Sequence, residues 1–149
     1  MHTVQGLTED KVKIALAGVG GTGGHVLNGL ARMSFGLSRV GHPGIFVTAY
    51  DPDYVSNTNI GRQIFTEYDV GANKAKLAID RLNTSLRVGW RGYATECPSS
   101  LHTADILIVC VDTKKARKQI SNAHMQPEKY IIDCGNSQGS GQVILGQKK

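Results

Sequence analysis

No stretch of this 149-residue chain approaches the ~20 consecutive apolar residues of a membrane-spanning helix, and its start, MHTVQGLTEDKVK, has no apolar core of the kind a secretion signal needs. Cysteine is scarce. Cys97, Cys110 and Cys134 make an odd set with no C-x-x-C pair, which argues against a disulfide framework or a Cys-rich zinc site. Basic clusters are also missing. The net charge is +5, but Lys and Arg are scattered, and only the KK pairs at Lys114-Lys115 and at the C-terminus stand out. A nucleic-acid surface needs clustered cations among aromatic platforms, so that class is disfavoured, and a basic pocket for a small polyanion accounts for the charge as well. There is no internal repeat and no low-complexity tract. With 40% hydrophobic and 19% charged residues the chain is globular, and its length supports one domain with a real core, not two. The cytoplasm is the expected compartment.

What is present is regular punctuation. KVKIALAG (11–18) is an apolar strand signal running into glycines, and IFVTAY (45–50) is a second strand. Between them, HVLNGLARMSFGL (25–37) carries Val26, Leu27, Leu30, Ala31 and Met33 at near-helical spacing. Ala75, Ala78, Ile79, Leu82 and Leu86 define an amphipathic helix, with Lys74, Lys76, Asp80, Arg81 and Asn83 on its polar side. GWRGYAT (89–95) is a weak strand, and ADILIVCV (104–111) has the unbroken apolar pattern of a strand buried on both faces. A short helix over 113–123 and strands over 129–135 and 141–146 complete the order. Such alternation predicts an α/β, Rossmann-like, mostly parallel sheet with helices on both faces. Ligands in these folds bind outside the carboxyl ends of the strands, so residues just after strands carry the chemistry.

Four such places stand out. GVGGTGG (18–24) follows the first strand, and Gly18, Gly20 and Gly23 fit G-x-G-x-x-G, with Gly21 extra; this pattern lets the backbone approach phosphate oxygens ahead of a helix N-terminus. Asp51 closes the second strand, 33 residues after Gly18, where an acid accepts hydrogen bonds from ribose hydroxyls or caps a turn. DPDYVSNTNIGRQIF (51–65) then supplies Arg62, whose guanidinium can fork onto phosphate, and DVGANK supplies Lys74 in the first turn of a helix. A cation is unfavourable for the helix dipole there, so a ligand explains Lys74 better than stability does. Asp112 follows the buried strand and is placed either to hold Mg²⁺ beside ATP or to cap the next helix. Asp105 and Asp133 are weaker candidates.

Together, GVGGTG, DPDYVSNTNIGRQ, DVGANKA and ILIVCVDT resemble the ThiF/MoeB/HesA family of ubiquitin-activating-enzyme-like adenylyltransferases over about 12–146, and the spacing is similar to the PRTRC-system ThiF branch. The resemblance implies a single ATP-binding domain over 1–149. It implies ATP and Mg²⁺ as cofactors, adenylation of the C-terminal carboxylate of a small ubiquitin-fold, sulfur-carrier-like protein, pyrophosphate release, and a homodimer. It also implies that Gly18, Gly20, Gly21 and Gly23 hold nucleotide and phosphates and that Asp51 holds the ribose. Asn59, Arg62 and Lys74 would neutralise phosphates, Gln63 would shape the pocket, and Asp112 would organise the metal. Arg62, Lys74 and Asp112 would carry the catalysis.

The chain departs from the family pattern in three ways. No arginine precedes Arg32, so the phosphate contact that relatives bring from an N-terminal helix is either missing or supplied by another group such as Lys11 or Lys13. The family's D-x-x-D-N is VCVDT here, keeping only Asp112. The sequence stops at GQVILGQKK, where relatives continue to a thiol-bearing loop; the expectation is the N-terminal, nucleotide-binding part of a longer protein or a truncated product, with an edge strand at 141–146 left to be covered. No transfer cysteine is assigned, and Cys110 and Cys134 are expected in the core. Two alternatives stay open: a non-catalytic nucleotide-binding module that pairs with a complete subunit, and an NAD(P)-dependent oxidoreductase.

Overall fold

The structure is a computed structural model that describes residues 10–123, 125–136 and 139–148. Six strands form one sheet in the order β3-β2-β1-β4-β5-β6. They are β1 (Val12–Ala17), β2 (Ile45–Tyr50), β3 (Arg91–Tyr93), β4 (Ile106–Val109), β5 (Tyr130–Asn136) and β6 (Gly141–Gln147). Neighbours from β3 through β5 run parallel, and β6 returns antiparallel to β5 with Asp133 opposite Ile144. Chain order therefore reverses between β1 and β4, which opens a crevice at their carboxyl ends.

Three helices cover the sheet: α1 (Gly21–Arg39), α2 (Lys74–Leu86) and α3 (Lys114–Ser121). Alternation along the strands divides the core in two. Val12, Ile14 and Leu16 of β1 face Leu27, Leu30 and Ala31 of α1 and Ala75, Ala78, Ile79 and Leu82 of α2. Ala15, Leu107 and Val109 face the other way, where Ile120 of α3 packs with Leu101, Ala104, Ala123 and Met125. Helices thus lie on both faces, as the sequence predicts. Burying a side chain such as Leu27 or Ile79 completely contributes about 1.5–3 kcal/mol. Among the described residues no helix is long and apolar enough to cross a membrane.

Some expectations need correction. Helix α1 starts at Gly21, four residues before its apolar periodicity, because glycines contribute packing space and no apolar signal. Met33 is 52% exposed; the fourth core position of that face is taken by Ser34, whose hydroxyl receives the Ile45 amide at 3.0 Å. Lys74, assigned to the polar side of its helix, is buried, because the 51–55 segment folds over the start of α2. Thr113, not Asp112, caps α3: its hydroxyl accepts from the Ala116 amide at 3.2 Å. Strand β6 is an exposed sheet edge as expected, with Val143 and Leu145 largely in solvent. Cys110 is buried and Cys134 half-buried; burial, with Cys134 alongside, pushes the Cys110 thiol up to about 12, so it stays neutral in the core.

Candidate functional site

A cleft of about 600 Å³ opens at the β1/β4 reversal. Its first wall is the glycine loop. Gly18 adopts φ +89°, and a Cβ there would meet the Cys110 carbonyl oxygen at 2.9 Å; its amide donates to Tyr50 O at 2.9 Å. At Gly23 a Cβ would collide with the carbonyl of Gly18, so this glycine lets α1 sit against the end of β1. Gly20 and Gly21 differ. Neither has positive φ, and a Cβ would meet only Gln63 Nε2 at 3.8 Å or the Arg62 carbonyl at 3.7 Å, which is ordinary contact. Internal packing would tolerate a Cβ at these two positions, at the start of a 19-residue helix that has no side-chain cap and no acid in its first turn. The free N–H groups there offer partial positive charge toward the cleft.

Asp51 holds this loop in place. One carboxylate oxygen accepts from Val19 N at 2.7 Å and the other from Asp53 N at 2.8 Å. Burial raises its pKa above the usual carboxylate range, and the two backbone donors oppose the rise. The carboxylate caps a turn and ties β2 to the glycine loop, while still lining the cleft.

Lys74 is presented by Asn73, a residue that the sequence reading did not single out. The Asn73 side chain accepts from Lys76 N at 3.1 Å, capping α2, and its amide donates to the carbonyls of Asp51 at 2.8 Å and Asp53 at 2.9 Å. Two jobs for one side chain weld the helix start to the end of β2. Lys74 Nζ lies 3.4 Å from Asp53 Oδ2, whose side chain is 67% exposed, and no other ion pair to Lys74 forms among the described residues. The N-cap pattern at Asn73 was readable; its backward bonds to 51 and 53 were not, since they bridge 22 and 20 residues.

Asp112 lines the cleft past β4 and makes no hydrogen bond or ion pair among the described residues. Gln63 joins the lining, with its Oε1 buried and without a hydrogen-bond partner among the described residues. Glu96 and Cys97 line it from the twelve-residue β3–β4 connection (94–105), which carries no helix. Burial pushes the Cys97 thiol up to about 12, which keeps it un-ionised at neutral pH.

The remaining predicted residues are not in the cleft lining. Asn59 is buried in a capping box, its Oδ1 accepting from Ser56 N at 3.0 Å. Arg62 is exposed and its Nε donates to Thr58 O at 3.0 Å, beside the start of α1. Gly21 and Gly23 sit in α1 behind the loop. Lys11 and Lys13 are exposed, and Lys13 lies on a separate groove, so neither supplies a cation to the cleft wall. At the other end of the sheet Asp105 is structural: it accepts from Lys13 N at 2.8 Å and Lys129 Nζ at 2.7 Å. No cluster of three metal-ligating side chains exists among the described residues. A free carboxylate at Asp112 suits Mg²⁺, which keeps waters and takes its other ligands from phosphates.

The strand order and the crevice define a doubly wound, Rossmann-like α/β domain. The ThiF family pattern matches residues 7–148, and the chain belongs to that family. Among solved structures it is similar to E. coli MccB with succinimide, at 26% identity and a TM-score of 0.62 over 83% of this chain and 36% of that one. The match to E. coli MccB with ATP has 26% identity and a TM-score of 0.63 over 83% of this chain and 37% of that one. The chain spans little more than a third of the length of these relatives. No curated protein sequence matches it.

Proposed function

We propose that residues 1–149 form a single nucleotide-binding domain of an ATP-dependent adenylyltransferase, which activates the C-terminal carboxylate of a small ubiquitin-fold protein. The observation that carries this reading is the convergence of the glycine loop, Asp51, Lys74 and Asp112 on one cleft. ThiF membership and the likeness to an ATP complex of MccB support it. The sequence spacing is similar to that of the PRTRC-system branch, and that branch and homodimerisation are part of the same reading.

In this reading Gly18, Gly20, Gly21 and Gly23 form the phosphate loop, with backbone N–H groups at the start of α1 facing the anion. Asp51 turns a spare lone pair toward the ribose. Lys74 supplies a desolvated positive charge that helps two anions, carboxylate and α-phosphate, to meet. Arg62 and Asn59 act from the adjoining loop, Arg62 by swinging from the Thr58 carbonyl toward the phosphates. Gln63 pairs its free Oε1 when the cleft fills. Asp112 is the carboxylate that would hold Mg²⁺, and the metal would supply neutralisation of phosphate charge.

Titration calorimetry tests the reading, with ATP, ATP plus Mg²⁺ and NAD⁺ run against the native chain and Asp112→Ala. Binding of ATP that strengthens with Mg²⁺ in the native chain but not in the variant is expected, with NAD⁺ silent. NAD⁺ binding in place of ATP would assign the cleft to a dinucleotide and end the proposal.

A further inference from the structure

Asp112 has no partner among the described residues to fix its side chain, so its position depends on the peptide that carries it. One side chain grips that peptide. Arg117, in the first half of α3, is largely buried, and its Nε donates to Val111 O at 2.9 Å. The same guanidinium donates from Nη2 to Cys134 O at 3.5 Å and places Nη1 3.8 Å from Asp133 Oδ1. It therefore ties the segment just past β4, one residue before Asp112, to β5. Asp133 Oδ1 is buried with no hydrogen bond among the described residues, so the carboxylate acts on Arg117 by charge alone.

The slot that admits the guanidinium is made by a missing side chain. A Cβ on Gly135 would collide with Arg117 Nη1 and come within 3.0 Å of Cζ and 3.2 Å of Nη2. Gly135 has no positive φ, so its backbone does not demand glycine; a Cβ there would instead displace the guanidinium. On the other side of Asp112, Thr113 caps α3. The metal candidate is thus held between a helix cap and an arginine clamp.

We propose that Arg117, seated over Gly135, is the positioning residue for Asp112: it fixes the Val111–Asp112 peptide so that the free carboxylate stands in the cleft that the glycine loop also lines. The inference rests on the reading of Asp112 as the carboxylate that meets Mg²⁺. An arginine that only stapled α3 to the sheet would change stability and leave the metal dependence alone.

The test uses the full chain and calorimetry of ATP with and without Mg²⁺. The quantity read is the coupling, the ratio of the metal-free to the metal-bound ATP Kd. Arg117→Gln and Gly135→Ala should each reduce that coupling by about 10-fold, the scale on which partners of metal-binding carboxylates act, while metal-free ATP affinity stays as in the native chain. Gly135→Ala keeps the positive charge and only displaces it, so a loss there is positional. In the Arg117→Gln background the added Gly135→Ala should do nothing more, since no guanidinium remains to displace. Coupling intact in Gly135→Ala while Asp112→Ala has lost it overturns the positioning role, and this arm decides even where Arg117→Gln fails to fold. Coupling intact in Asp112→Ala overturns the metal reading itself, and the inference with it.

Discussion

Lys74 should be a residue that the free protein is better off without. It occupies the first position of α2, where the helix dipole disfavours a cation by about 0.3–1 kcal/mol. It is buried, yet its one ion-pair partner among the described residues is a largely solvent-exposed Asp53 at 3.4 Å, a pairing of the screened kind that contributes about 0–1 kcal/mol. The two roughly cancel. Lys74→Met keeps the buried aliphatic length and removes the charge, so the ligand-free variant should be as stable as the native chain or more so. A gain of about 1 kcal/mol would raise Tm by about 2–4 °C in a domain of this size. ATP affinity should move the other way. A charge-assisted hydrogen bond to phosphate contributes about 1.5–3 kcal/mol, so the Kd should rise by about 10- to 150-fold. Differential scanning calorimetry without ligand and an ATP titration read both quantities on one preparation. A variant with Tm several degrees below native and unaltered ATP affinity would refute the reasoning and make Lys74 a structural lysine.

The glycine loop divides into structural and ligand-facing positions. Gly23→Ala should lower stability by about 1–3 kcal/mol in urea unfolding, through collision with the Gly18 carbonyl, whereas Gly20→Ala should unfold as the native chain does and yet bind ATP more weakly. Equal unfolding midpoints for the two would contradict the division. Asp51 has a raised pKa, chiefly from burial, so between the ordinary value of 3.8 and its higher folded value the native state holds more protons than the unfolded chain. Its contribution to stability should therefore fall as pH rises through that window, the reverse of an ordinary salt-bridged acid. Urea melts across the window should show the native chain losing ground to Asp51→Asn as pH increases; gaining ground would contradict the burial argument. Cys97, with a thiol pushed up to about 12, should alkylate far more slowly at pH 8 than after unfolding in guanidinium, read by mass spectrometry; equal rates would show a thiolate that burial does not suppress.

The sequence was most legible where one local pattern settled the outcome. Largely apolar runs at 12–17 and 45–50 and an unbroken one at 106–109 located the three central strands, and a strand-glycine-helix order located the loop. The polar residues after those strands did converge, since Gly18, Gly20, Asp51, Gln63, Lys74 and Asp112 all line one cleft. Side-chain direction was harder to read. Met33 and Lys74 satisfy helical periodicity and still fall on the unexpected side, because a loop packs over one and no element packs over the other. Asn59 and Arg62 sit in turn chemistry as readily as in a phosphate site, and the structure shows their hydrogen bonds within the loop. The backward bonds of Asn73 and the clamp of Arg117 were invisible because they reach distant backbone, which no spacing rule encodes.

The central claim is that one cleft holds an ATP with its phosphates between the start of α1 and Lys74 and its metal at Asp112. A crystal structure of the chain grown with a non-hydrolysable ATP analogue and Mg²⁺ tests it most directly. The account predicts phosphate density on the amides of Gly20 and Gly21 within hydrogen-bond reach of Lys74 Nζ, the ribose at Asp51, and the metal on the Asp112 carboxylate. A nucleotide seated elsewhere, or one that leaves Lys74 and Asp112 without contact, would contradict it.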